Sequence, residues 1–80
     1  MSNTPTIPPV GSRVRFLEGT PQHITNAGTD YTVELSPRGD THSTFDGQPY
    51  VWLVLTADLG KVPSRRRRRT GYVRSLEVVS

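Results

Sequence analysis

Tyr50-Val51-Trp52-Leu53-Val54-Leu55 is the stretch that decides the fold. Four of its six residues are aromatic or β-branched, the side chains that suit a pleated surface. Alternation along a strand puts Val51, Leu53 and Leu55 on one face and Tyr50, Trp52 and Val54 on the other. Both faces are apolar, as in a strand at the centre of a small barrel or sandwich. Val51 and Leu53 are expected to point inward. Trp52, the one tryptophan, reads as a further core residue, the alternative being a surface stacking group.

Toward the N-terminus, Tyr31, Val33 and Leu35 alternate with Thr32, Glu34 and Ser36, and Val10, Ser12, Val14 and Phe16 alternate with Arg13 and Arg15. This is the period of half-buried strands. Glu18 to Asp30 and Arg38 to Gln48 are rich in Gly, Asp, Thr and Ser and read as long loops. Beyond the central strand, Asp58 to Ser64 forms a turn with Gly60 and Pro63, then comes the run Arg65 to Arg69 and two short apolar segments. No segment repeats at 3.6 residues over the length that a helix requires. Five antiparallel strands are therefore expected near residues 10–17, 31–36, 49–57, 66–73 and 77–79. The expected core is Val14, Phe16, Val33, Leu35, Val51, Leu53, Val73, Leu76 and Val78. Residues 1–9 hold three prolines and read as a disordered tail in which only Ile7 docks, leaving residues 10–80 as a single domain.

Gly71-Tyr72-Val73-Arg74-Ser75-Leu76-Glu77-Val78-Val79 resembles the closing unit of small barrels of the Src-homology-three (SH3)-like type, in which a glycine-led strand meets one helical turn and a last strand returns to the first. Gly11 to Phe16 is similar to the opening strand of these barrels, including the KOW and Tudor-like versions. The resemblance implies an all-β fold: a small five-stranded SH3-like barrel with long loops. It covers residues 10 to 79 in strand order and spacing. The acidic and aromatic signature of proline-peptide binders is missing from the first loop, and Gly19 and Gly28 match the KOW glycine only loosely. Small arginine-biased barrels of this kind also resemble orphan phage proteins of GC-rich bacterial hosts.

Charge is divided along the chain. Residues 1 to 60 carry three arginines against six acids, a net −3, whereas seven bases face only Glu77 from Lys61 onward, a net +6. Nine of the ten bases are arginine, a bias that GC-rich codons also produce. If Arg65 to Arg69 start a strand, Arg65, Arg67 and Arg69 share one face at a spacing of about 6.6 Å, comparable to successive phosphates. Guanidinium pairs bidentately with phosphate and stacks on bases. The expected site comprises Arg65, Arg66, Arg67, Arg68 and Arg69, extended by Arg13, Arg15 and Arg74, with Tyr50 and Tyr72 as stacking groups. In the other reading the run is a solvated hairpin tip, and Arg13 and Arg15 pair with Glu34 or Glu77. Either way, serine at positions 66 to 68 is expected to leave the fold intact.

These residues point to a non-enzymatic module whose partner is a nucleic-acid backbone, bound without sequence selectivity. The alternative partner is an acidic protein surface, as for a virion assembly component or an inhibitor of a host protein. No cofactor, metal, membrane or small-molecule substrate is expected. The chain has no cysteine and only His23 and His42, so thiolate metal sites and disulfides are excluded. Asp40, His42 and Ser43 are too close in sequence for a catalytic triad, and Arg38-Gly39-Asp40 is a polar turn that happens to spell an integrin tripeptide. No apolar run reaches the ~20 residues of a membrane span, and the expected location is the cytoplasm, or the virion of a phage-encoded protein.

Overall fold

The computed structural model of the chain describes residues 6–17 and 28–79. They form six strands, β1 (Arg13–Phe16), β2 (Tyr31–Glu34), β3 (Ser43–Phe45), β4 (Gln48–Leu55), β5 (Arg68–Tyr72) and β6 (Leu76–Val78). Single 3-10 turns occupy Thr56–Asp58, Pro63–Arg65 and Val73–Ser75. All pairings are antiparallel. The fold is all-β, and no helix among the described residues is long and apolar enough to cross a membrane.

The long β4 organises the sheet. Its residues 52–55 pair with β2 and its residues 48–50 with β3, while β5 takes positions 50–54 along the opposite edge. β1 lies between β2 and β6. No ladder joins β5 to β6 among the described residues, so the sheet is open. The five expected strands are all present, with ends shifted by up to three residues. β3 is additional and falls inside the expected loop from Arg38 to Gln48. It exists because Asp46 (φ 52°) and Gly47 (φ 76°) both adopt left-handed backbone, the conformation that a two-residue hairpin turn needs and that Asp-Gly favours.

Val14, Phe16, Tyr31, Val33, Val51, Leu53, Val73 and Leu76 form the core, with the Phe16 and Tyr31 rings meeting edge to face at 5.7 Å. Gly71 lies opposite Val51. A Cβ there would stand 3.1 Å from both Leu53 Cδ1 and Phe16 Cε1, so the absence of a side chain lets β5 close onto the core. The expected tail is seated at its end: Ile7 packs against the core and Pro8 is buried. Residues 1–5 of that tail, and most of the first long loop, lie outside the described residues.

Two expected core residues are surface residues. Leu35 is 48% exposed and Val78 54% exposed. β2 stops at Glu34 because the buried Ser36 hydroxyl accepts the backbone N–H groups of Arg38 and Asp40, turning the chain before Leu35 can continue the alternation. Val78 keeps its place opposite Val14, but β6 is a sheet edge and no described residue covers its end. Val54, assigned to the outer face, is buried to 1%. The core thus draws on both faces of β4.

Candidate functional site

The arginine run does not form a ladder of free guanidiniums. Arg65 ends a 3-10 turn, Arg66 and Arg67 precede the strand, and only Arg68 and Arg69 belong to β5. Each has a different environment. Arg66 donates from Nε to the Lys61 carbonyl (2.9 Å) and from Nη2 to that of Leu59 (3.0 Å), closing the preceding turn. Arg67 grips Asp58 side-on, Nε to Oδ2 at 2.9 Å and Nη2 to Oδ1 at 3.2 Å, while its backbone N–H donates to Oδ2 at 2.8 Å. Lys61 Nζ adds a contact at 2.9 Å. The Asp58 carboxylate is inaccessible to solvent. The Arg67 guanidinium, then Lys61 and the Arg67 backbone N–H, hold its pKa well below the usual carboxylate range against the opposing effect of desolvation. In return Asp58 raises the pKa of Arg67.

Alternation then separates the next two. Arg68, opposite Val54, points outward and donates to Glu34 Oε1 (2.8 Å) and the Pro63 carbonyl (2.9 Å). Arg69, opposite Leu53, turns inward and lies over the Phe16 and Tyr31 rings at 4.8 and 5.8 Å. Neither Arg65 nor Arg69 has a side-chain hydrogen bond or an acid partner among the described residues. The hairpin is therefore a structural device as well as a cationic one, and serine at 66 to 68 would strip the buried Asp58 of its main partner. This corrects the expectation that the triple substitution spares the fold. Bonds from Arg66 to carbonyls leave its charge uncompensated, and the segment stays strongly positive.

Arg13 and Arg15 converge on Asp30, not on Glu34 or Glu77. Arg13 Nε is 3.6 Å from Asp30 Oδ2, and Arg15 Nε donates to Oδ1. Arg15 also faces Glu77 across the β1–β6 ladder. The Arg15 hydrogen bond lowers the Asp30 pKa, and Asp30 raises that of Arg15. These two arginines do not extend the hairpin patch as freely available cations.

The outward face of β4 and β5 is aromatic. Tyr50 and Trp52, two residues apart on β4, place their rings 5.1 Å apart. Tyr72 lies opposite Tyr50 on β5, with ring centroids at 6.2 Å. Trp52 is half-buried on this face, not a core residue, because the β4 register sends Val51 and Leu53 inward. Phe45, 65% exposed, extends the group through the β3–β4 hairpin and lines a cleft of about 260 Å³ with Tyr50, Thr70, Gly71 and Tyr72. Arginines ring the aromatics. Arg74 lies over Tyr72 at 5.1 Å, while Arg38 and Arg68 line two hollows that share Pro37 and Trp52.

Of these residues the sequence identifies Tyr50, Tyr72, Arg68 and Arg74 as site candidates, gives Trp52 a stacking role only as the alternative to a core one, and misses Phe45, Arg38 and Asp58. The Asp46-Gly47 pair, flanked by Thr44-Phe45 and the central strand, was the available signal for the hairpin that presents Phe45. Nothing local marks Asp58. His42 Nδ1 meets the Thr41 hydroxyl at 3.1 Å, and His23 lies outside the described residues. No group of three or more metal-ligating side chains converges among the described residues. Comparisons with protein-family models, curated proteins and solved structures find no match, and the reading of this site rests on its own geometry.

Proposed function

We propose that this chain is a small barrel of the SH3-like type acting as a non-enzymatic binding module for single-stranded nucleic acid. The spatial order β6–β1–β2–β4–β5 and the single 3-10 turn between β5 and β6 support the barrel reading. The observation that carries the function is the aromatic face of Phe45, Tyr50, Trp52 and Tyr72, ringed by Arg38, Arg68 and Arg74. From Gln48 to Trp52 the face runs about 13 Å along the strand, the scale on which sheet aromatics stack two or three splayed bases. The rings supply sequence-tolerant stacking, and the arginines meet the backbone phosphates. The hairpin from Lys61 to Arg69 adds long-range attraction. The guanidiniums of Arg66, Arg67 and Arg68, already fixed by backbone carbonyls, Asp58 and Glu34, lose less rotamer freedom on binding.

The test is a titration of fluorescent oligothymidylate against wild type and Tyr50→Ala, Trp52→Ala and Tyr72→Ala, at low and high salt. Each ring removed should weaken binding roughly five- to 100-fold, and log affinity should fall with log salt at about 0.7 per phosphate contact. Variants that bind like wild type, or a preference for duplex, would sink the reading. A single stoichiometric protein partner, captured after nuclease treatment and lost in these variants, would replace nucleic acid by a protein surface.

A further inference from the structure

A second cleft opens on the other side of β5, and its chemistry differs from that of the aromatic face. Thr29, Tyr31, Leu55, Arg67, Arg68 and Arg69 line a volume of about 500 Å³, within the range of clefts that hold small ligands. Arg67 and Arg68 each have a carboxylate partner, in Asp58 and Glu34. Arg69 has none among the described residues. Its guanidinium rests on the Phe16 and Tyr31 rings and is half-buried. A partly desolvated cation with no counter-charge among the described residues loses hydration that ring quadrupoles only partly restore. An anion arriving at that point recovers the difference. A guanidinium whose N–H groups have no protein acceptor among the described residues keeps its fork for bidentate contact with phosphate oxygens.

We infer that this cleft is a phosphomonoester site, in which Arg69 takes the terminal phosphate and the apolar surface of Tyr31 and Leu55 takes the group that bears it. Asp58 and Glu34 fix Arg67 and Arg68 at the rim, where their charge raises the local concentration of anions. Two sources carry this chemistry, a free mononucleotide and the 5′-terminal phosphate of a strand. Arg68 borders both this cleft and the hollow beside Trp52, but the inference does not depend on the stacking face, since Arg69, which carries it, lies on the opposite face of β5 over Phe16 and Tyr31.

Calorimetric titration with adenosine 5′-monophosphate, adenosine and inorganic phosphate, beside 5′-phosphorylated and 5′-hydroxyl oligothymidylate, tests it. Adenosine 5′-monophosphate should bind and adenosine should not. Arg69→Gln should weaken the nucleotide at least about tenfold, as loss of a charge-assisted bidentate contact implies. Arg69→Lys, which keeps the charge and loses the fork, should also weaken it, with near-ultraviolet circular dichroism confirming that both variants are folded. Tyr50→Ala should leave nucleotide affinity unchanged while weakening oligothymidylate, which separates failure of this site from failure of the stacking face. Tighter binding of the 5′-phosphorylated strand than of its 5′-hydroxyl form identifies a strand end as the source; equal binding of the two strands, with the mononucleotide still bound, identifies free nucleotide. Equal affinity for nucleotide and adenosine, no detectable nucleotide binding at millimolar concentration, or full affinity in folded Arg69→Gln would overturn the assignment.

Discussion

Asp58 and Asp30 are the same residue type in nearly the same company, each carboxylate shared by two cations. Asp58 holds Arg67 and Lys61 at 2.9 Å; their side chains are 70% and 50% exposed, and its own is completely inaccessible. Asp30 gathers Arg13 and Arg15 with its side chain 22% exposed and theirs nearly half exposed. Water remains an alternative partner for every member of the second group. It is not one for Asp58, which also accepts a backbone N–H. Identical ion-pair chemistry therefore locks the hairpin in one place and only decorates the sheet edge in the other.

The strongest way to break this comparison is Asp58→Ala. It leaves Arg67 and Lys61 without their acceptor and a backbone donor unpaired, and the thermal midpoint should fall by on the order of 15 °C or more. A fall no larger than that of Asp30→Ala, measured by circular dichroism under the same conditions, would show that burial does not distinguish the two sites. Gly71→Ala calibrates the scale, since it overpacks Leu53 and Phe16 without touching either carboxylate and should cost about 1–3 kcal/mol in urea denaturation.

Acid titration sharpens the contrast. The folded-state pKa of Asp58 is depressed below its ordinary value of 3.8. Its stabilisation is thus fully present above that value and is lost as pH falls through the lower folded one. Asp58→Asn should flatten the loss of stability below pH ~4, and an acid-unfolding curve unchanged by that substitution would contradict the assigned role. Asp30→Ala should shift the midpoint by no more than a few degrees, an effect that molar salt erases. Salt resistance of the Asp30 contribution would mean that the site is drier than its exposure indicates.

Much of the fold is legible because it is written in local patterns. Tyr50 to Leu55 has the composition of a central strand, and the segment from Gly71 to Val79 breaks into the expected strand, turn and strand, with the turn and last strand each starting one residue early. The candidate site is less so. Leu35 obeys the alternation of its strand and yet is exposed, because a hydroxyl one residue later turns the chain. Trp52 is the most hydrophobic aromatic in the most hydrophobic strand, and it faces outward because its neighbours on either side fill the core first.

The sequence by itself determined that this chain is all-β, where its central strand lies, and that positive charge gathers after Lys61, since period-two alternation, turn residues and net charge are properties of neighbours along the chain. Only the tertiary structure decided what each arginine does. With Arg68 opposite Val54 and Arg69 opposite Leu53, one points to Glu34 and the other onto Phe16. A slip of one residue would exchange them, because side chains along a strand change face at every step. That register is set by contacts between segments distant in sequence, above all the packing of Gly71 against Leu53 and Phe16 and the grip of Arg67 on Asp58, and no reading of five identical residues in a row can supply it.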